Sequence, residues 1–162
     1  MIEFWRSVLT SQFEASLCML HHGIKNCPAE FWHERMATDT VQQTTYHTLF
    51  FVDLYLSRED TFVKRELHQR GGDEEGPGVS IGLPQDETLE YVAICRQKAR
   101  DTIAAETMES LMGPSGFSYR KISRGELHLY NIRHIQHHTG QLSSFLRRVA
   151  DTSSPWIGSG WR

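Results

Sequence analysis

From Ser123 onward the sequence leaves little choice of secondary structure. Ser123-Arg-Gly-Glu126 matches the S-x-x-E capping box that opens a helix. Behind it, Leu127, Asn131, His134, His138, Gln141, Leu142, Phe145 and Val149 recur at helical steps. At about 100° per residue they share one face, which predicts a helix to about Ala150 with that stripe turned inward. A helix this long and apolar on one side only must bury that side against partner elements.

Two histidines stand on the stripe. His134 and His138 are four residues apart, so roughly 6 Å of helical rise separates them and their imidazoles can meet at one ion. His137 points off the stripe, toward a rim or the surface.

The rest of the chain supplies the partners. Trp5, Leu9, Phe13, Leu17 and Leu20 predict a first helix over residues 2–24, stopped by Gly23 and the Asn26-Cys-Pro28 run. Residues 28–36 read as a connector whose Phe31 and Trp32 plug the end of the core. A second helix starts near Thr38 or Asp39, either of which can cap it, and runs to about Ser57. Its inward stripe is Thr40, Thr44, His47, Phe51 and Leu54, which makes His47 the third inward histidine.

Helical periodicity is lost over 58–84. The segment Arg70-Gly-Gly-Asp-Glu-Glu-Gly-Pro-Gly78 reads as a mobile, solvated loop without the alternating ligands of a calcium loop. A third helix is expected over 86–112, with Leu89, Val92, Ala93, Arg96, Ala99, Ile103 and Met108 on its apolar side, ended by Gly113-Pro114. These elements imply an all-α fold: a four-helix bundle over residues 1–150 with a long connector between helices 2 and 3. The tail, 151–162, is expected to fray or to fold back with Trp156 covering part of the bundle.

Bulk properties narrow the partners. The 162 residues suit one domain. The net charge of −3, with both signs mixed along the chain, gives no basic stripe for a nucleic acid. No apolar run approaches the ~18 residues of a membrane span. Cys18, Cys27 and Cys95 form no C-x-x-C, and charges in Met1-Ile-Glu-Phe-Trp-Arg6 do not suit a secretory leader, so a cytoplasmic setting is expected.

Three neutral imidazoles suit Zn²⁺, Ni²⁺, Fe²⁺ or Co²⁺ and leave at least one position open for water or substrate, the pattern of a catalytic rather than a closed structural site. Thr44, Asn131 and Gln141 are candidates to orient the ligands. A di-iron bundle would need two Glu-x-x-His motifs, and only Glu30-Phe-Trp-His33 fits. H-E-x-x-H and G-x-S-x-G are missing. His21, His22, His68 and His128 lack ligand spacing and are expected to be exposed.

His47 within Thr-Tyr46-His47-Thr-Leu-Phe-Phe-Val-Asp53, together with His134-Ile-Gln-His-His138-Thr-Gly-Gln141, resembles the DinB-like metal-binding superfamily over about residues 1–150. That group takes in bacillithiol transferases and mycothiol-dependent maleylpyruvate isomerase. The resemblance implies an up-up-down-down bundle, Zn²⁺ or Ni²⁺ on His47, His134 and His138, and a homodimer. Three inward histidines with no evident fourth protein ligand lead to the expectation of an enzyme that activates a low-molecular-weight thiol, or water, against a small-molecule substrate; the resemblance itself does not settle activity. The alternative is a non-enzymatic metal-binding or dimeric stress-response protein. No catalytic side chain beyond the metal ligands is singled out.

Overall fold

Leu9, Phe13, Leu17, Leu20 and Ile24 fall on one side of helix α1 (Ile2–Lys25) and are buried. The helix does not stop at Gly23. It runs to Lys25, and the missing side chain serves close packing instead: a Cβ at Gly23 would stand 2.8 Å from Leu142 Cδ2 and 2.6 Å from Ser154 Oγ. The computed structural model describes residues 1–72 and 80–162. The glycine-rich loop expected around 70–78 lies largely outside the described residues. Among these there are six α-helices and a 3-10 turn, and no strand.

Trp32, just past the 3-10 turn Ala29–Phe31, is buried as expected and donates from Nε1 to the Leu83 carbonyl (3.1 Å). The cap of helix α2 (Val41–Leu56) lies one or two residues beyond the expected ones. Thr40 is the cap, in a full capping box with Gln43. The reason is a backbone clasp, Met36 N to Asp39 O and Val41 N to Glu34 O, which holds Thr38 and Asp39 in a loop ahead of the helix.

Short helix α3 (Glu66–Gly71) had no sequence signature. It carries His68, which is buried rather than exposed and shares a 2.7 Å hydrogen bond with Tyr91 OH. Both face Asp53, a fully buried carboxylate on α2 that accepts from Tyr91 OH (3.2 Å), Arg65 Nε (3.2 Å) and Lys98 Nζ. Such a carboxylate is stable inside only because its lone pairs are filled. The network ties the long connector to α2 and α4.

The third expected helix is two. Helix α4 (Gln85–Ala105) ends at Glu106, whose backbone is extended, and Thr107 caps α5 (Met108–Met112). Glu106 is claimed from three directions. Arg6 donates to its carbonyl (2.7 and 2.9 Å), while Arg124 Nε and His128 Nε2 meet its carboxylate (2.9 Å each). His128 is therefore buried, against expectation. The inward face of α4 is Thr88, Tyr91, Val92, Cys95, Ala99 and Ile103; Ala93 points to solvent.

Helix α6 (Arg124–Ala150) opens at the predicted cap, with Ser123 Oγ accepting the Glu126 amide (3.2 Å), which is the Ser123 half of the expected capping box. The Arg124 side chain crosses to the end of α2 and donates to the carbonyls of Tyr55, Leu56 and Ser57 at 2.9, 2.9 and 2.8 Å. It thereby caps carbonyls that α2 leaves open.

The long helices pack as α1 on α4 and α6, and α2 on α4 and α6. Their directions follow from paired contacts. Ile24 meets Gln85 and Arg6 meets Glu106, so α1 and α4 are antiparallel. Tyr55 meets Arg124 and His47 meets His134, so α2 and α6 are antiparallel. Leu49 meets Cys95 and Leu56 meets Thr102, so α2 and α4 are parallel. The order is up, down, down, up, which corrects the up-up-down-down expectation. A parallel α2/α4 pair must be joined end to start, and that is what the long connector does.

The tail folds back along α1. Gly160 N donates to Ser11 O (3.0 Å) and Cys18 Sγ to Arg162 O (3.0 Å). Trp161, not Trp156, does the covering: it lies under the Arg96 guanidinium (4.2 Å) and beside His21, while Trp156 is 81% exposed.

Candidate metal centre

Antiparallel packing of α2 on α6 brings His47 against His134 and His138. One ring nitrogen from each of the three lies within 4.8 Å of the others. The Nε2 atoms of His47 and His134 are 3.4 Å apart. No carboxylate or thiol joins them within that distance among the described residues. All three rings are half-buried, and their neighbours explain why. The fully buried stripe of α6 runs through Leu127, Asn131, Ile135, Thr139 and Leu142, and that of α2 through Val41, Thr45, Thr48 and Val52. The histidines therefore stand at the edge of the interhelical seam, not in its middle as the stripes had implied.

Burial, then the neighbouring His138 and His47, push the His134 pKa down to about 3. Burial also lowers that of His138, against the opposing pull of its Gln141 bond. Both rings are thus neutral near pH 7 and keep a lone pair for a cation. His138 Nδ1 lies 2.8 Å from Gln141 Oε1. With Nδ1–H donating there, Nε2 is left as the acceptor facing the cluster, the arrangement common for metal-binding histidines. Phe51 closes one side, its ring centre 4.8 Å from that of His47 and 5.9 Å from that of His134.

Of the three candidate orienting residues, Gln141 fills that role. Asn131 does not: it donates from Nδ2 to the Val52 carbonyl (3.3 Å), pinning α6 to α2. Thr44 lines the space beside His47. His137 is exposed at the rim, as expected.

The other side opens into a cavity of about 470 Å³. Its walls are the 36–39 loop, the His47 side of α2, and the α6 face running from His138 through Gln141 and Ser144 to Arg148. The loop and Arg148 went unnoticed in the sequence, because nothing local links residues over 100 positions apart.

The donor set suits a divalent metal. Two nitrogens sharing a tetrahedral Zn²⁺ at ~2.0–2.1 Å sit about 3.4 Å apart, which is the separation of His47 and His134 Nε2. Nitrogen donors alone favour Zn²⁺, Ni²⁺ or Co²⁺ over Mg²⁺ or Ca²⁺.

A family model described as the DinB superfamily matches residues 12–142, a span that includes all three histidines and every long helix in whole or part. The chain belongs to the DinB superfamily. The DinB match stops before the last two turns of α6, so Arg148 and the folded-back tail lie beyond it. No curated protein matches the chain. No helix of this DinB protein, among the described residues, is long and apolar enough to cross a membrane.

Proposed function

We propose that this DinB protein is a metal-dependent enzyme. In this reading His47, His134 and His138 hold a divalent ion, Zn²⁺ or Ni²⁺, and a low-molecular-weight thiol or water is activated for transfer to, or hydrolysis of, a small substrate. The observation that carries it is the convergence of three half-buried imidazoles, two of which, His47 and His138, line a cavity, with no fourth protein ligand closing the set among the described residues. A bound divalent ion supplies Lewis acidity at the open position, lowering the pKa of a thiol or water there toward neutrality.

The chain's own residues do the rest. Gln141 fixes the tautomer of His138, and Phe51 keeps water from the α2 side of the cluster. The cavity admits a ligand of drug-like size from the opposite side. Asp39, on the cavity wall, is a carboxylate able to accept a proton from an incoming nucleophile.

The test is elemental analysis of the purified protein and of His47→Ala, followed by a screen for transfer from small thiols to electrophiles. Near-stoichiometric Zn or Ni in the parent, its loss in the variant, and thiol-dependent turnover abolished in His138→Ala are expected. A parent protein that neither holds nor takes up Zn²⁺ or Ni²⁺ would refute the reading.

A further inference from the structure

The cavity beside His47 and His138 has a charge pattern that metal binding does not explain. His138, Gln141, Ser144 and Arg148 follow one another at three- and four-residue steps and form one wall. Arg148 stands ten residues beyond His138, roughly 15 Å along the helix axis. A helical side chain leans toward the N-terminus, so the Arg148 guanidinium points back along this wall toward the histidines. It donates no hydrogen bond to another described residue; the contact it makes is with the ring of Phe145, 5.6 Å away.

The helix dipole favours a cation in the last turn of α6, but Arg147 fills that need equally well. Arg148 is the one of the two that lines the cavity with His47 and His138. Between the two ends are neutral donors: Thr44 and Ser144 hydroxyls, and the Gln141 amide nitrogen, free because its oxygen is engaged by His138. Among the described residues, Asp39 is the one acidic side chain lining the cavity.

The geometry points to a carboxylate subsite. The ligand that reaches the three-histidine centre carries, roughly 10 Å from its reacting group, a carboxylate that Arg148 binds through its two-pronged guanidinium. A single arginine with Asp39 in the same cavity suits a monoanion and not a phosphate dianion, which gathers several cations. The carboxylate can sit on the activated thiol or on the molecule it attacks. The subsite deepens the metal-and-thiol reading above and rests on it for the ligand's reacting end.

The test uses the Zn²⁺-loaded full chain and the peptide Cys-Gly-Gly, whose three extended residues span roughly 10 Å. Its C-terminal amide is the control, and affinities come from titration calorimetry. The parent should bind the free carboxylate at least 10-fold more tightly than the amide. In Arg148→Gln that preference should fall to within 3-fold with the amide's affinity unchanged, and Arg148→Lys should keep part of it. Equal binding of acid and amide by the parent in both the cysteine and the alanine series, or a preference that survives Arg148→Gln, overturns the subsite, as does no binding of either acid. Ala-Gly-Gly and its amide separate the two readings. If they bind as tightly as the cysteine peptides with the same Arg148-dependent preference, the carboxylate subsite stands and the thiol's role falls. If the acid preference appears only with the cysteine peptides, the carboxylate belongs to the thiol; if only with Ala-Gly-Gly, to the acceptor.

Discussion

His138 is held on two sides, by the other imidazoles and by the Gln141 oxygen one turn further on. Gln141→Leu removes that acceptor and frees the ring to change tautomer. Metal affinity should fall about 10–100-fold, measured by competition with a chromogenic chelator, while the helix content stays the same. Protons act on the same fold in a defined direction. Burial lowers the pKa of His128 and of His68 despite the carboxylate facing each, so the unfolded chain binds more protons below about pH 6.5 and stability drops there. Burial alone would raise the Glu106 pKa, but hydrogen bonds from His128, Ser110 and Arg124 outweigh it and hold it at about 2. Its contribution is present above about pH 4.3 and is lost as pH falls toward 2. Urea midpoints of metal-free protein should therefore decline from pH 7 to 5 and again below about pH 4; a flat profile would contradict both assignments. The three clustered histidines were legible because their spacing is local to two helices. Asp53, His68 and His128 were not, because a buried polar residue looks like an exposed one until its partners, up to 45 positions away, are known.

At the level of elements, the start of α6 was readable and the end of α4 was not. Ser123 caps through its own neighbours, whereas α4 stops because Arg6, Arg124 and His128 converge on Glu106 from other helices. Arg124 also joins two elements by capping α2. Arg124→Met should strip those carbonyls and leave Glu106 without its buried cation, a loss of about 3–5 kcal/mol in denaturant unfolding. Adding Glu106→Gln should recover at least about 1 kcal/mol, since it removes the orphaned charge; no recovery would mean that the carbonyl contacts carry the whole effect. Helix directions were misread for a related reason. Amphipathic stripes fix which face turns inward but not which way a helix runs. The connector lengths held part of that information: the link from α1 to α2, residues 26–40, is about half as long as 57–84, and the longer one is able to return the chain for a parallel α4.

Across the whole molecule, the ring of helices is fastened from outside by the tail. Trp161, wedged between Arg96 of α4 and His21 of α1, bridges two elements that the bundle already pairs. Trp161→Ala should lower stability by roughly 1–3 kcal/mol, the loss of a half-buried aromatic and its cation contact, and should leave metal content unchanged. A loss of metal in that variant would mean that the tail supports the site at a distance. The site itself is assembled from far-apart chain. His47 and His134 are 87 positions apart. At about 5–20 residues per second of translation, His47 exists for roughly 4–17 s before His134 is made. Until then the nascent chain has no three-histidine cluster to offer. An ion held by the cluster is taken up only after His138 has been made, so its identity reflects what is available at that point and not at the time His47 emerges.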